Sequence, residues 1–291
     1  MTSKNLGATG QAIRHHYDAG NDFYRLWLDE SLTYSGAMYG GDDPEESLES
    51  AQTRKLDFHI EQAHAGSAER VLDVGCGWGS VLRRLVETYG VSRAVGLTLS
   101  EAQAKWIAAS PDHRVSVLVE SWADHHPERP YDAIISLGAM EHFAKSEISV
   151  AEKIASYRAF FTRCHEWLKP GGWVSLQAIA YGNMRREDLA GSFIVTEIFP
   201  ESEFVRLAEI AEAAERLFEI VLVRNDRKDY ERTCAAWREN LRRNRSLALE
   251  VAGPEQVERY ERYLDICVRG WQLGTTDLLR IGMRRIDTPR P

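Results

Sequence analysis

The stretch VLDVGCGWGS, residues 71–80, limits what this chain can fold into more than any other. An apolar run ends in Asp73, and Gly75, Gly77 and Gly79 then lead into a helix-compatible segment. Glycines at a strand-to-helix junction let the backbone approach a ligand closely, and the helix that follows offers unpaired N–H groups. In open α/β sheets ligands lie beyond the carboxyl ends of the strands, where such a loop sits. A tight turn without a ligand is the weaker reading of this pattern. A glycine loop alone would also suit a dinucleotide dehydrogenase, although D-V-G-C-G-W-G is not a plain G-x-G-x-x-G.

The flanking rhythm supports an α/β fold. RVLDVG, RAVGLTLS, RVSVLVE, YDAIISLG and GGWVSLQAIA read as strands, with amphipathic segments between them. Ile154, Tyr157, Phe161, Cys164 and Leu168 fall three and four apart, on one helix face. Alternation of this kind implies a mostly parallel sheet covered on both sides. Further on, FEIVLVRN (218–225) and LLRIGM (278–283) read as strands. A long helix between them presents Val257, Tyr260, Leu264, Cys267 and Trp271.

With 291 residues and 44% hydrophobic content the chain can build one substantial core. Its net charge of −8 argues against a general nucleic-acid binder. The four cysteines form no CxxC pair, which excludes a zinc pattern or a secreted disulfide framework and points to a reducing cytoplasm. The N-terminal stretch has no apolar signal-peptide core, and no apolar run approaches the ~20 residues that span a bilayer. His15, His16, His125 and His126 occur as pairs without a third ligand, so they read as surface histidines and no metal site is expected. WRENLRRNR (237–245) is a basic run that reads first as a solvated helix face. It would also suit a peripheral membrane surface or an acidic acyl carrier protein.

YDAIISLGAMEHF opens a strand into a loop with an acid and a histidine, and LKPGGWVSL follows it. In this order the motifs resemble the class I S-adenosylmethionine-dependent methyltransferases. HHYDAGNDFYRLWLDESLTYS, LDVGCGWGS, VGLTLSEAQA, GAMEHF, FIVTEIFP and DYERTCAAWRENL, in sequence, narrow the resemblance to the cyclopropane fatty acid synthase family with its mycolic acid methyltransferases. That resemblance covers nearly the whole chain. It implies one methyltransferase domain built on a seven-stranded, mostly parallel Rossmann-like sheet. Residues 1–66 would form an N-terminal helical cover and 67–181 the cofactor-binding core. Residues 182–217 would be a helical insertion over the acceptor pocket, and 218–291 the C-terminal strands and long helix.

The resemblance also implies an S-adenosylmethionine site lined by Tyr34, Ser35, Gly75, Gly77, Thr98, Gln103 and Trp122, and Asp73 at the strand end joins them. Thr98 stands where many class I enzymes place an acid, and Ala123 where mycolic acid methyltransferases commonly carry one. Glu141, just past a strand's carboxyl end, is the expected catalytic acid or base. A helix-dipole role is its weaker reading. In the family a bound bicarbonate is thought to act as base. Glu141, Tyr230 and Ile179 match that anion site, whereas Gly36 replaces the family's Cys and Gln177 its His. Gln177 can donate a hydrogen bond but holds no charge. Phe193 and Phe199 are candidates for the acceptor wall, with plain helix packing the competing reading.

The expected activity is methyl transfer to an alkene carbon of a hydrophobic acyl-like or isoprenoid-like substrate, giving a C-methylated or cyclopropanated product. The alternative is an N- or O-methyltransferase of a small natural product. A cofactor-binding protein without catalysis is disfavoured by Glu141 and Tyr230.

Overall fold

The computed structural model describes residues 20–41, 43, 45–189 and 191–288. His15 and His16 and the start of the N-terminal motif lie outside them. At its centre is a seven-stranded sheet in the order β3-β2-β1-β4-β5-β7-β6. The strands are β1 (Arg70–Val74), β2 (Arg93–Thr98), β3 (Val115–Val119), β4 (Tyr131–Leu137), β5 (Leu168–Tyr181), β6 (Phe218–Asn225) and β7 (Thr276–Arg285). β1 to β5 pair in parallel, and β7 runs antiparallel to both β5 and β6. Strand order reverses between β1 and β4, which opens a crevice at their carboxyl ends.

Helices α1 (Asn21–Tyr24) and α2 (Leu48–Gln62) precede the sheet. On one face α2 and α3 (Ser80–Glu87) bury Leu56, Ile60, Leu82 and Leu85 against Val71, Ala133 and Ile135. On the other, α5 (Val150–Trp167) packs Tyr157, Phe160, Phe161 and Cys164 on Ile134, Val174 and Leu176. α4 (Glu101–Ala108) follows β2. A third, aromatic core joins Phe23, Tyr24 and Trp27 to Trp237, Tyr260 and Trp271. The last three stand on α8 (Arg227–Arg243) and α9 (Arg245–Leu273).

Several expectations shift. Leu168 is the first residue of β5 rather than the end of a helix face; its ψ is 143°. Pro170, two residues on, cannot donate a backbone hydrogen bond and disfavours helix before it. α9 is not one straight helix: Gly253 adopts φ 77°, ψ 166° just before Pro254 and breaks it. Residues 182–217 hold only short helical pieces, α6 (Arg186–Leu189), a π turn (Ile194–Ile198) and α7 (Leu207–Ala214).

His125 is not a surface histidine. It is buried, with Nδ1 2.5 Å from Glu120 and Nε2 2.9 Å from the Tyr131 hydroxyl. The basic run is largely paired within the molecule. Arg238 and Arg242 meet Asp265 at 3.0 and 3.2 Å, and Arg245 meets Glu261 at 2.9 Å, so the run stitches α8 to α9. Among the described residues no cluster of His, Cys, Asp and Glu could hold a metal ion, and no helix is long and apolar enough to cross a membrane.

The segment 182–217 is held by a buried charge cluster. Lys153 on α5 lies 3.1 Å from Glu203 and 2.9 Å from Glu209, and donates to the Phe204 carbonyl at 2.6 Å. The Tyr181 hydroxyl donates to Glu203 at 2.7 Å, and Arg186 approaches it at 3.3 Å. Removing one partner of such a cluster leaves a charge buried without compensation. Lys153→Met should therefore destabilise the protein by about 3–5 kcal/mol in chemical denaturation, and a loss below about 1 kcal/mol would contradict the account.

Candidate active site

The glycine loop forms the floor of a cleft at the strand ends. Gly75 and Cys76 donate their N–H groups to the Leu97 carbonyl at 3.0 and 2.9 Å, which ties the loop to β2. Gly75 has φ +81°, and a Cβ there would lie 2.6 Å from the Ala139 Cβ, so only glycine fits. The cleft opens to solvent. Every residue expected at the cofactor site lines it: Asp73, Gly75 and Gly77 from the β1 loop, Thr98 and Gln103 from β2–α4, Trp122, and Tyr34 and Ser35 from the N-terminal segment.

The polar groups of this cleft are arranged rather than free. The Thr98 hydroxyl donates to the Gln103 side-chain carbonyl at 2.7 Å, while Gln103 Nε2 is buried without a partner. Asp73 Oδ2 is likewise buried and unpartnered, and burial pushes that carboxyl up to about 7. Orphaned buried donors and acceptors are rare in folded proteins and mark places where a ligand completes the bonding. An adenosyl amino acid offers both kinds of partner, so the cleft fits S-adenosylmethionine.

A second, smaller cavity adjoins the first, and Tyr34, Ser35, Gly138 and His142 line both. Its wall is aromatic: Tyr34, Phe199, Phe204, Tyr230 and Tyr263. The Tyr34 ring stacks 6.4 Å from Phe199, and its hydroxyl donates to that of Tyr263 at 3.1 Å. Among the described residues Glu141 is the one acid on this wall. It stands in the 3₁₀ turn Met140–His142 that follows β4, and its Oε1 accepts the Ile179 N–H at 2.6 Å. Oε2 is buried without a partner, and burial pushes the carboxyl up to about 7. His142 also faces this space, and burial alone drives it down to about 4. Both adjacent residues thus line the second cavity.

Ile179, Gln177 and Tyr230 line the second cavity as well. Gln177 is not free to act alone, because its carbonyl oxygen accepts from Arg280, a guanidinium with no exposed surface. Gly36 and Phe193 stand behind the wall rather than on it. A Cβ on Gly36 would lie 2.8 Å from Leu278 and 2.9 Å from the Tyr230 ring, so that ring fills the space a side chain would need. Phe193 packs in the aromatic core, under the Arg262 guanidinium at 4.2 Å. Sequence reasoning did not single out Lys55, Tyr263, Ser202 or Phe204. Tyr263 falls three residues after Tyr260 on the recognised helix, and the others gave no signal in their spacing.

The model of the family described as mycolic acid cyclopropane synthetase matches residues 5–281. Cyclopropane mycolic acid synthase 3 of Mycobacterium tuberculosis is 32% identical over 283 residues, covering 91% of this chain and 94% of the relative. The structure of the cyclopropane synthase MmaA2 from Mycobacterium tuberculosis is similar with a TM-score of 0.85 at 30% identity, over 97% of this chain and all of that one (100%). Mycolic acid cyclopropane synthase CmaA1, complexed with SAH and CTAB, gives 0.85 at 32% identity, over 96% and 99%.

The raised carboxyls have a consequence for the protein without ligand. Between their ordinary values, 3.8 for Asp73 and 4.5 for Glu141, and about 7, the folded state keeps protons the unfolded chain has released. Stability from these groups is thus complete below the ordinary values and is lost as pH rises through about 7. His142 acts oppositely over part of that range, so the measurement is a difference. Relative to Asp73→Asn and to Glu141→Gln, the wild type should lose denaturation stability between pH 4 and 7; a constant difference would refute the shifts.

Proposed function

The chain belongs to the mycolic acid cyclopropane synthetase family, and from that premise we propose that it methylates an alkene carbon of a hydrophobic unsaturated acyl-like or isoprenoid-like substrate. It is an S-adenosylmethionine-dependent methyltransferase, as its relatives are, and CmaA1 holds SAH together with the hydrophobic ligand CTAB. The observation that carries the finer reading is the second cavity: an aromatic wall with a single carboxylate, next to the cofactor cleft.

S-adenosylmethionine supplies an electrophilic sulfonium methyl. An alkene is a weak nucleophile, so alignment and exclusion of water matter more than activation. Tyr34 is on the wall of both cavities, which supports a place for it where donor and acceptor would meet. Transfer would break the sulfur–methyl bond as the new carbon–carbon bond forms, releasing S-adenosylhomocysteine as the neutral thioether and leaving the positive charge on the substrate. The faces of Tyr34, Phe199, Tyr230 and Tyr263 stabilise a cation without capturing it. Glu141 Oε2 then takes a proton from the charged chain, and the released electron pair closes a ring or restores an alkene. A carboxyl with a pKa near the working pH suits that task.

Bicarbonate is not required by this scheme. Glu141, Ile179 and Tyr230 could flank an anion, but Gly36 is off the cavity wall and Gln177 is committed to Arg280. We therefore assign the final proton to Glu141 itself. Rate should be flat with added bicarbonate in degassed buffer, and a saturable rise would return the role to an anion.

Transfer of labelled methyl groups to a panel of unsaturated acyl chains, isoprenoids and amines, with product masses, tests the reading directly. Labelling of amines alone would overturn it. Glu141→Gln should keep cofactor affinity and lose about 10²–10⁴-fold in kcat. Because the base must be ionised and its carboxyl sits at about 7, wild-type kcat should rise with pH through that value. A pH-independent rate would remove Glu141 from the proton transfer.

A further inference from the structure

The second cavity holds two polar groups that the transfer scheme leaves without a role. The first is the hydroxyl of Tyr263. The Tyr34 hydroxyl donates to it at 3.1 Å, so Tyr263 accepts and its own hydrogen has to point elsewhere. Among the described residues that hydrogen has no acceptor, although the side chain is only 4% exposed and lines the cavity. Burial holds both phenols well above their ordinary value, so neither hydroxyl gives up its proton.

The second is His142, whose Nδ1 is buried without a partner among the described residues. Tyr263 and His142 flank Phe199, with ring centroids 5.9 and 6.1 Å from it. A purely hydrocarbon acceptor would seal both groups from water without replacing the bonds they lose. Buried polar groups left in that state are costly, and folded proteins keep few of them. An oxygen atom on the acceptor removes the cost. Ether, carbonyl and hydroxyl oxygens all accept from a phenol, and a hydroxyl can bond a neutral imidazole as well. Tyr263 and His142 share this small cavity with Glu141, so such an oxygen would lie within a few carbons of the reacting centre.

We propose that the acceptor carries an oxygen function close to its reacting double bond, and that the Tyr263 hydroxyl donates a hydrogen bond to that oxygen. This inference rests on the reading of the second cavity as the alkene site. It narrows the substrate class from any hydrophobic alkene to an unsaturated alcohol, ether or ester with the oxygen near the alkene. The ring face of Tyr263 then serves the developing cation, while its hydroxyl sets how far along the cavity the chain lies.

The test is labelled-methyl transfer to two positional isomers, (Z)-3-dodecen-1-ol and (Z)-9-dodecen-1-ol. They share one carbon skeleton and one polarity, and differ in whether the hydroxyl is near the alkene or far from it. The wild type should favour the near isomer by at least about tenfold in kcat/KM. Tyr263→Phe keeps the ring and removes the hydroxyl, and should bring that ratio below about threefold. Loss of the Tyr34 partner acts on both isomers, so the ratio is the readout, and the wild-type comparison does not depend on whether the variant folds. The methyl ethers of the two alcohols should keep the near–far preference, because an ether still accepts; its disappearance there would overturn the assignment to a donor. Equal wild-type rates for the two alcohols, or an unchanged ratio in Tyr263→Phe, would also overturn it, as would transfer to longer unsaturated chains but to neither alcohol. If no alkene of any kind is methylated, the alkene reading falls and takes this inference with it, whereas transfer without preference removes this inference alone.

Discussion

A single buried guanidinium holds the active end of this molecule together. Arg280, on β7, donates to Asp226 at 2.7 Å, to the Ala37 carbonyl at 2.7 Å, to the Gly36 carbonyl at 3.3 Å and to Gln177, and lies 3.1 Å from His59. These partners belong to the start of α8, the N-terminal segment, β5 and α2. Such a charge is tolerable only because Asp226 neutralises it and carbonyl oxygens satisfy the remaining donors. Together with the Gln52 Nε2 bonds to the Thr33 and Ser35 carbonyls, it sets the height above the sheet of the segment bearing Tyr34 and Ser35, and both cavities depend on that height.

The antiparallel placement of β7 makes this possible. By inserting between β5 and β6 it brings a residue from the far end of the chain beneath residues 36 and 37. The site is thus assembled from the two ends of the chain, and the parallel core contributes the loops between them. Glu141 follows the same logic on a smaller scale. Its backbone carbonyl accepts from Glu203 N–H at 2.8 Å while its carboxylate accepts from Ile179, so the turn after β4, β5 and the covering segment are mutually fixed.

What the sequence made legible was what local rules determine. The strands of the parallel core stand where apolar runs end in glycine or polar loops, and the glycine loop lies where strand-to-helix chemistry requires it. Asp73, Gly75, Gly77, Thr98, Gln103 and Trp122 meet because they sit at or just past strand ends, whose relative position the fold class dictates, whereas Tyr34 and Ser35 come from the N-terminal segment and were legible only through the family resemblance. Gly36, Gln177 and Lys55 were not legible in the same way. Gly36 reads as a lost side chain, yet Tyr230 and Leu278 occupy its side-chain direction. Gln177 reads as a donor, yet Arg280, a hundred residues on, claims its acceptor. Lys55 reads as one more polar position on an amphipathic helix, and only the fold turns it inward. In each case the deciding contact is long-range, and no periodicity encodes it. The misplaced helix end at Leu168 is different: Pro170 was in plain view, and helical spacing outweighed it.

The wall shared by the two cavities bears on how such a scaffold could diversify. Tyr34 and Ser35 line both cavities, so on the proposed reading a change there that admits a new acceptor also disturbs the donor. Phe199, Ser202, Phe204 and Tyr263 line the second cavity and not the first. Phe199 stacks on Tyr34 and Tyr263 accepts its hydroxyl hydrogen, so substitutions at those two also reach the shared wall. On the proposed reading, acceptor range is freest to drift at Ser202 and Phe204.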